Sequence, residues 1–420
     1  MSEETIAGRA PWLAEPGLQA LLAALAQGGQ EARIAGGAVR NALMGQGVTD
    51  VDIATTTPPD ETITRARAAG FKAIPTGYEH GTITVVASGK PYEVTTLRDD
   101  VETFGRHARV VFGTDWKRDA ERRDFTINAL YAEADGRVVD LVGGLDDIAA
   151  RRLRFIGEAE QRIREDYLRI LRFFRFFAWY GDGRPDAEGL KAATRLRAGL
   201  AELSAERVWS ELKKLLSAPD PSRALLWMRQ TGVLTAVLPE SEKWGIDGIH
   251  PLAETERALG WPVDPMLRLM AMVPPDAARL EAMASRLRMS KAEAAILVAW
   301  ARSPTPDPQM KRGDFEKLLY GSDARGLETR LRLALTGARA RAAEDGEALM
   351  AAAGCRRLLD ILKDWEKPAF PVGGEDLIAR GIKPGREMGE MLSALENRWI
   401  ESGFQLSREE LLEQAASPDD

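Results

Sequence analysis

Asp50 and Asp52 stand one residue apart in VTDVDIATT, and if the chain is extended there both carboxylates project to one side. Two carboxylates held together repel unless a proton or a cation intervenes. Magnesium neutralises such a pair through oxygen ligands and keeps water or phosphate in the rest of its shell. A D-x-D is also what a short acidic turn looks like, so its meaning depends on its surroundings. Gly36-Gly37 lies upstream, between apolar ARIAG (32–36) and a helical pattern at 38–45. It is either a tight strand-to-helix turn or one whose backbone N–H groups approach phosphate oxygens. Arg40, one helical turn later, either assists with phosphate or is a solvated surface cation. Glu93 supplies a third carboxylate if its strand pairs near 50–55. The three side chains would then surround two metal ions, one easing deprotonation of an attacking hydroxyl, the other steadying departing pyrophosphate. Otherwise Glu93 is an edge-strand glutamate facing water.

These groups need a sheet to hold them. Strand candidates occur at 32–36, 51–55, 81–87 and 92–97, the last two joined like a hairpin by GKP at 89–91. NALYAE (128–133) and RVVDL (137–141), separated by Ala134-Asp135-Gly136, predict a second hairpin. Helical patterns fall at 17–27, 38–45 and 59–69. From about 147 the strand signals stop and the sequence reads as helix, punctuated by Gly, Pro and Asp near 181–186, 219–221, 243–248, 262–265 and 302–309. The Ala-rich stretch 338–353 is a good helix former.

The chain has 420 residues, long enough for more than one core, and no apolar run approaches a membrane span. The N-terminus lacks an export pattern and the single Cys355 excludes an internal disulfide framework, so the expected location is cytoplasmic. The net charge of −7 conceals a contrast: residues 151–175 carry eight arginines against four acids, while 401–420 carry one arginine against six acids. A local basic surface permits a nucleic-acid partner in spite of the acidic whole.

The run from Arg33 to Thr56, with EHGTITV (79–85), YEVTTLR (92–98), ERRDFTINAL (121–130) and QRIREDYLRILRFFRFFAWYG (161–181), resembles the class II tRNA CCA-adding enzyme and bacterial poly(A) polymerase family. SAERVWSELKKLL (204–216) and FPVGGEDLIARGIKPGREMGEML (370–392) extend the resemblance, which is strongest over 31–216 and falls on the CCA-adding branch. It implies an α+β chain: a polymerase-beta-like nucleotidyltransferase head with a small mixed sheet (1–147), a helical neck for base recognition (148–235), a helical body (236–335) and a helical, tRNA-contacting tail (336–420). It makes Asp50, Asp52 and Glu93 the Mg2+ ligands and places Arg123, Asp124 and Asn128 near the incoming nucleotide, contributing to ribose recognition. By residue type alone, ERRD is equally a salt-bridged helix terminus and Asn128 a turn or cap residue.

Asp166 and Arg169 are i,i+3 neighbours that share a face if the segment is one helix. The resemblance implies that they read the Watson–Crick edge of CTP or ATP, each of which offers an acceptor beside an amino donor; on spacing alone they are equally a surface pair. Arg172 and Arg175 continue the pattern toward triphosphate or RNA backbone. Phe173, Phe174, Phe176 and Phe177 read as core. Ser204 is a candidate cap, with Glu206, Arg207 and Glu211 as ordinary helix charges. His80 reads as shaping the site rather than as a base, and His80, His107 and His250 are too isolated for an added histidine–aspartate phosphohydrolase domain. The segment 98–119 suits a mobile loop, and its RHARVVFGTDW wording departs from the more usual bacterial pattern.

The expected activity is therefore template-independent addition of CCA to the tRNA 3′ end and acceptor region from CTP and ATP, with no membrane and no obligatory protein partner. CC-only or A-only addition, poly(A) addition, transfer to another acceptor, and a catalytically inactive RNA-binding relative are the alternatives.

Overall fold

The computed structural model describes residues 4–99, 111–242 and 244–414. Contacts divide the chain into two compact units: Met1–Leu203 with Trp227–Val237, and Ser204–Leu226 with Leu238–Asp420.

The first unit is built on a seven-stranded mixed sheet in the order β3-β4-β5-β2-β1-β8-β9. Its strands are β1 (Ala32–Ala35), β2 (Asp52–Thr55), β3 (Lys72–Gly77), β4 (Thr82–Ala87) and β5 (Lys90–Thr96), then β8 (Leu130–Ala132) and β9 (Val138–Asp140). A separate pair, β6 (Arg98–Asp99) with β7 (Val111–Phe112), precedes β8. The β4–β5 turn falls on Ser88-Gly89, both at positive φ, one residue ahead of the expected GKP; Ala87 pairs Lys90 across it. β2 and β5 run parallel, while every other pairing in the sheet is antiparallel.

Side-chain alternation gives the sheet two unlike faces. Ile34, Ile53, Ile83, Val85 and Val94 point into a large core with Leu18, Leu21, Leu22 and Leu25 of α1 (Pro16–Leu25), and with Val39 of α2 (Gly37–Leu43). Ala66 of α3 (Pro59–Ala68) joins the same core. Their neighbours Ala35 and Ala54 point the other way, into a smaller cluster with Leu97, Tyr131 and Ala120 of α4 (Trp116–Glu121). By the same alternation Asp52 belongs to the small-residue face, where it is exposed.

After β9 no further strand occurs among the described residues. Helices α5 (Gly144–Ala149), α6 (Ala159–Glu165), α7 (Leu168–Tyr180) and α8 (Ala187–Leu196) complete the first unit's main run. Phe173, Phe174, Phe176 and Phe177 of α7 are buried, as core aromatics should be. The second unit opens with α9 (Ala205–Leu216), capped by Ser204 through Arg207 N. Its long hairpin, Ala324–Arg341 and Gly346–Asp364, is split where Asp345 caps the second helix, so the Ala-rich stretch is interrupted. Phe315, Leu327, Leu331, Leu335, Cys355 and Leu358 form one core of this unit; Leu377, Leu395, Trp399 and Leu411 belong to another. No helix of the described residues is long and apolar enough to cross a membrane.

Candidate nucleotidyl-transfer site

Asp52 is the first residue of β2 and stands in register with Glu93 of the parallel β5. The two carboxylate-bearing positions are thus neighbours on one face, although 41 residues separate them in sequence. Asp50 lies before the strand begins, on a loop, where its carboxylate accepts from Thr49 Oγ1 at 2.9 Å. The expected continuous extended segment through both aspartates is therefore shorter than the spacing suggested. Asp52 has an edge open to water, yet the protein around it strips enough hydration to push its carboxyl above the ordinary aspartate value; the charges of Glu93 and Asp50 add to this and Arg123 opposes it.

Among the described residues, no three carboxylate, imidazole or thiol groups close into a metal cage. An open set still suits Mg2+, which keeps water and phosphate ligands, and every donor here is a hard oxygen. The in-register placement of Asp52 and Glu93 on adjacent strands is the observation that favours a divalent cation beside them.

The glycine turn is defined by Gly36, at φ 62° and ψ −109°, a conformation that side-chain-bearing residues avoid. A Cβ there would lie 3.1 Å from Arg123 Nη1 and 3.2 Å from the Asn128 carbonyl oxygen. Gly36 N–H donates to the Leu130 carbonyl at 2.9 Å, so its contribution is close approach rather than a free donor. Gly37 opens α2 immediately beside it. Arg40 is not the solvated surface cation of the second reading. Only 6% exposed, it donates to Asn128 Oδ1, to Asn41 Oδ1 at 2.9 and 3.1 Å, and to Tyr180 Oη at 2.8 Å.

Arg123, Asp124 and Asn128 do gather beside this turn. Asp124 accepts from Asn128 Nδ2 at 3.0 Å, its neighbour Phe125 N–H at 2.9 Å, and Arg172 Nε and Nη2 at 2.7 and 2.6 Å. Burial works to raise the pKa of Asp124, but Arg172 and these hydrogen bonds outweigh it and hold the carboxyl below the usual range. Arg123 is gripped by Asp119, which is 1% exposed and also binds Arg122 and the Tyr131 hydroxyl, the latter at 2.7 Å.

Asp166 and Arg169 sit differently from the single-helix expectation. α6 ends at Glu165, Asp166 is extended at φ −158° and ψ 108°, and α7 starts at Leu168. Asp166 accepts from the N–H of Leu168, the first residue of the new helix, at 3.1 Å, while Tyr167 stands at the cap position. Arg169 is held by the Glu165 carboxylate and by the Arg162 carbonyl oxygen at 2.9 Å. Arg172 and Arg175 follow on α7, with Arg175 4.1 Å from the Phe176 ring centre. The break turns Asp166 out of the helical ladder and leaves its carboxylate at the mouth of α7.

His80 lies on an exposed turn before Gly81, and the Phe112 ring covers that glycine so closely that a Cβ would come within 2.6 Å of it. His107 lies outside the described residues, as do 100–110 of the segment 98–119 expected to be a mobile loop; the described ends of that segment form β6, β7 and most of α4 instead. His250 pairs with Asp220 at 2.6 Å, in the second unit. Sequence reading passed over Asp119, Tyr131 and Tyr180. The only local signal for the first was its place at i−3 and i−4 to Arg122 and Arg123.

A mixed sheet with adjacent acidic strand positions beside a glycine turn, followed by helices, defines a polymerase-beta-like nucleotidyltransferase. Residues 32–154 match the poly A polymerase head domain, and 185–244 match the family model described as the probable RNA and SrmB-binding site of polymerase A. The mitochondrial CCA tRNA nucleotidyltransferase 1 of Mus musculus is 37% identical over 402 residues, covering 94% of this chain and 89% of that protein. The Homo sapiens counterpart is 36% identical over 408 residues, with the same coverage. The crystal structure of the Bacillus stearothermophilus CCA-adding enzyme in complex with CTP superposes with a TM-score of 0.71 at 27% identity, over 96% of this chain and 98% of that one. The chain belongs to the CCA-adding branch of this nucleotidyltransferase family.

Proposed function

We infer that this protein adds CCA to the 3′ end of tRNA, using CTP and ATP and releasing pyrophosphate. The observation that carries this reading is the Asp52–Glu93 register within a chain similar along nearly its whole length to CCA tRNA nucleotidyltransferases. In each step the terminal RNA hydroxyl oxygen attacks the α-phosphorus, the bond from that phosphorus to the bridging oxygen breaks, and pyrophosphate leaves with the electron pair. Asp50, Asp52 and Glu93 are the residues that would hold Mg2+, which would supply Lewis-acid stabilisation and make the hydroxyl proton easier to lose to solvent. The chain's own side chains bind and orient: Gly36 and Gly37 leave room beside Arg123 for the nucleotide, Asp124 and Asn128 face the ribose, and Arg172 and Arg175 neutralise phosphate. Asp166 accepts from the exocyclic amine of cytosine or adenine, and Arg169 donates to the neighbouring ring acceptor.

The four-part division at 147, 235 and 335 accompanies this reading, with the tail contacting tRNA, and we assign the protein to the cytoplasm. A product-length assay on tRNAs ending before CCA, after C and after CC tests it, with CTP and ATP supplied separately and together. Completed CCA is the expected product. Stopping at CC, A addition alone, a long A tail or no transfer each selects one of the other activities.

Asp166→Ala and Arg169→Ala are expected to lower the CTP-over-UTP ratio of kcat/KM by about 10-fold or more, the range for losing one bidentate base contact. Binding of tRNA should stay within about two-fold, because phosphate contacts carry most nucleic-acid affinity. Unchanged selectivity in both variants refutes the base-reading role.

A further inference from the structure

Arg40 is a buried cation whose acceptors are neutral groups: Asn128, Asn41 and Tyr180. Burying a guanidinium without a carboxylate against it is costly, and an apolar residue would fill the same space at less cost. What it does there follows from the chemistry of its neighbours. A guanidinium only donates, so its bond to Asn128 requires the amide oxygen to face it. The amide nitrogen is thereby turned to Asp124, which it reaches at 3.0 Å. The other Asp124 oxygen is left to the fork of Arg172, at 2.7 and 2.6 Å. At the opposite end of Arg40, Nη2 donates to the Tyr180 hydroxyl at 2.8 Å, and the guanidinium lies 4.1 Å from the centre of that ring.

The chain of bonds starts and finishes on the same helix. Tyr180 and Arg172 both belong to α7, eight residues apart, which is about 12 Å along a helix axis. Between them the path runs through Arg40 of α2 and then Asn128 and Asp124. Arg40, Tyr180, Asp124 and Asn128 are each less than a tenth exposed. Two anchors separated by two helical turns fix both the position and the angle of a helix, where one would leave it free to pivot. One turn before Arg172 on this pinned helix stands Arg169.

We propose that Arg40 and Tyr180 are positioning residues for substrate selection: through Asn128, Asp124 and Arg172 they set the placement of α7 and the orientation of the Asn128 amide, and so govern ribose and base discrimination without touching the nucleotide. The proposal rests on the reading that Asp124 and Asn128 face the ribose and that Asp166 and Arg169 face the base.

Tyr180→Phe keeps the ring and removes the hydroxyl; Arg40→Lys keeps the charge and removes the fork. The test measures kcat/KM for CTP, dCTP and UTP on a tRNA ending before CCA, beside Asn128→Ala and Asp166→Ala. Both the CTP/dCTP and the CTP/UTP ratios should fall about five-fold in Tyr180→Phe and further in Arg40→Lys, as expected for coupling through a packed polar network. A merely structural role lowers the rate for all three nucleotides and leaves the ratios in place, which overturns the proposal. If Arg40→Lys does not fold, Tyr180→Phe alone decides. Ratios that move in Asn128→Ala and Asp166→Ala but not in Tyr180→Phe sink the proposal and spare the site reading. Ratios unmoved in all variants sink the site reading itself.

Discussion

Asp52→Asn is expected to abolish nucleotidyl transfer and, without divalent ions, to raise the melting temperature of the protein. The first effect should be about 10²–10³-fold or more in kcat, the range for removing one preorganised electrostatic group. The second follows from the Asp52 carboxyl being pushed above its ordinary pKa, first by lost hydration and then by Glu93 and Asp50, against Arg123. A raised pKa means that the folded state holds this proton more tightly than the unfolded chain. The ionised form therefore costs stability, beginning as pH rises past the ordinary value of 3.8 and complete above the folded value. The amide escapes that cost at neutral pH and gains nothing in acid. Melting curves at about pH 3 and about pH 7.5, in EDTA and in Mg2+, test the sign. Mg2+ should stabilise the parent and leave the variant nearly unmoved. A variant that turns over normally, or a parent indifferent to Mg2+, contradicts the assignment.

Arg268→Met is expected to destabilise the second unit by about 3–5 kcal/mol, the cost of leaving one member of a buried ion pair alone. Arg268 has no exposed surface and Glu256 is 2% exposed. Its guanidinium donates to Glu256 Oε2 at 2.6 and 3.1 Å, to the Leu216 carbonyl at 2.6 Å, to the Pro219 carbonyl at 3.2 Å, and to the Ala218 carbonyl. One arginine thus satisfies the carbonyls at and just beyond the end of α9, where intrahelical partners run out. Methionine fills much of the volume but strands the carboxylate and these carbonyls in a dry interior. Adding Glu256→Gln should recover part of the loss, since the remaining group is neutral. Urea unfolding followed by circular dichroism measures both; a loss below about 1 kcal/mol in the single variant would place the pair outside the buried regime.

The head's strands were legible because alternation survives in short segments: β1, β2, β4, β5, β8 and β9 fall within a few residues of their expected positions. β3 was not, because Lys72–Gly77 carries Pro75 and polar neighbours, and such a strand persists only at an edge, where β4 alone pairs with it. Of the carboxylates, Glu93 could be proposed from its strand, but only the parallel register places it against Asp52. The break at Asp166 was hidden by helix-forming residues on both sides. The burial of Arg40 was hidden for a different reason. Its partners Asn128 and Tyr180 lie 88 and 140 residues away, and nothing local announces that a charged side chain turns inward. The same holds for Tyr131 at Asp119. Buried polar networks are assembled by the whole tertiary structure, whereas periodicity is a local property.

The parallel pairing of β2 with β5 also has a bearing on how the chain comes to need its ion. Antiparallel neighbours can meet through a two-residue turn, but Asp52 and Glu93 meet only after α3, β3 and β4 have been laid down between them. Closing so long an excursion is slow in entropic terms, and the pair does not exist in the unfolded polypeptide. If this pair holds Mg2+ as proposed, affinity for the ion is gained on folding, and the cation is a mass-action ligand of the native state alone. Free Mg2+ above its dissociation constant would then add to the stability of the fold with the logarithm of its concentration.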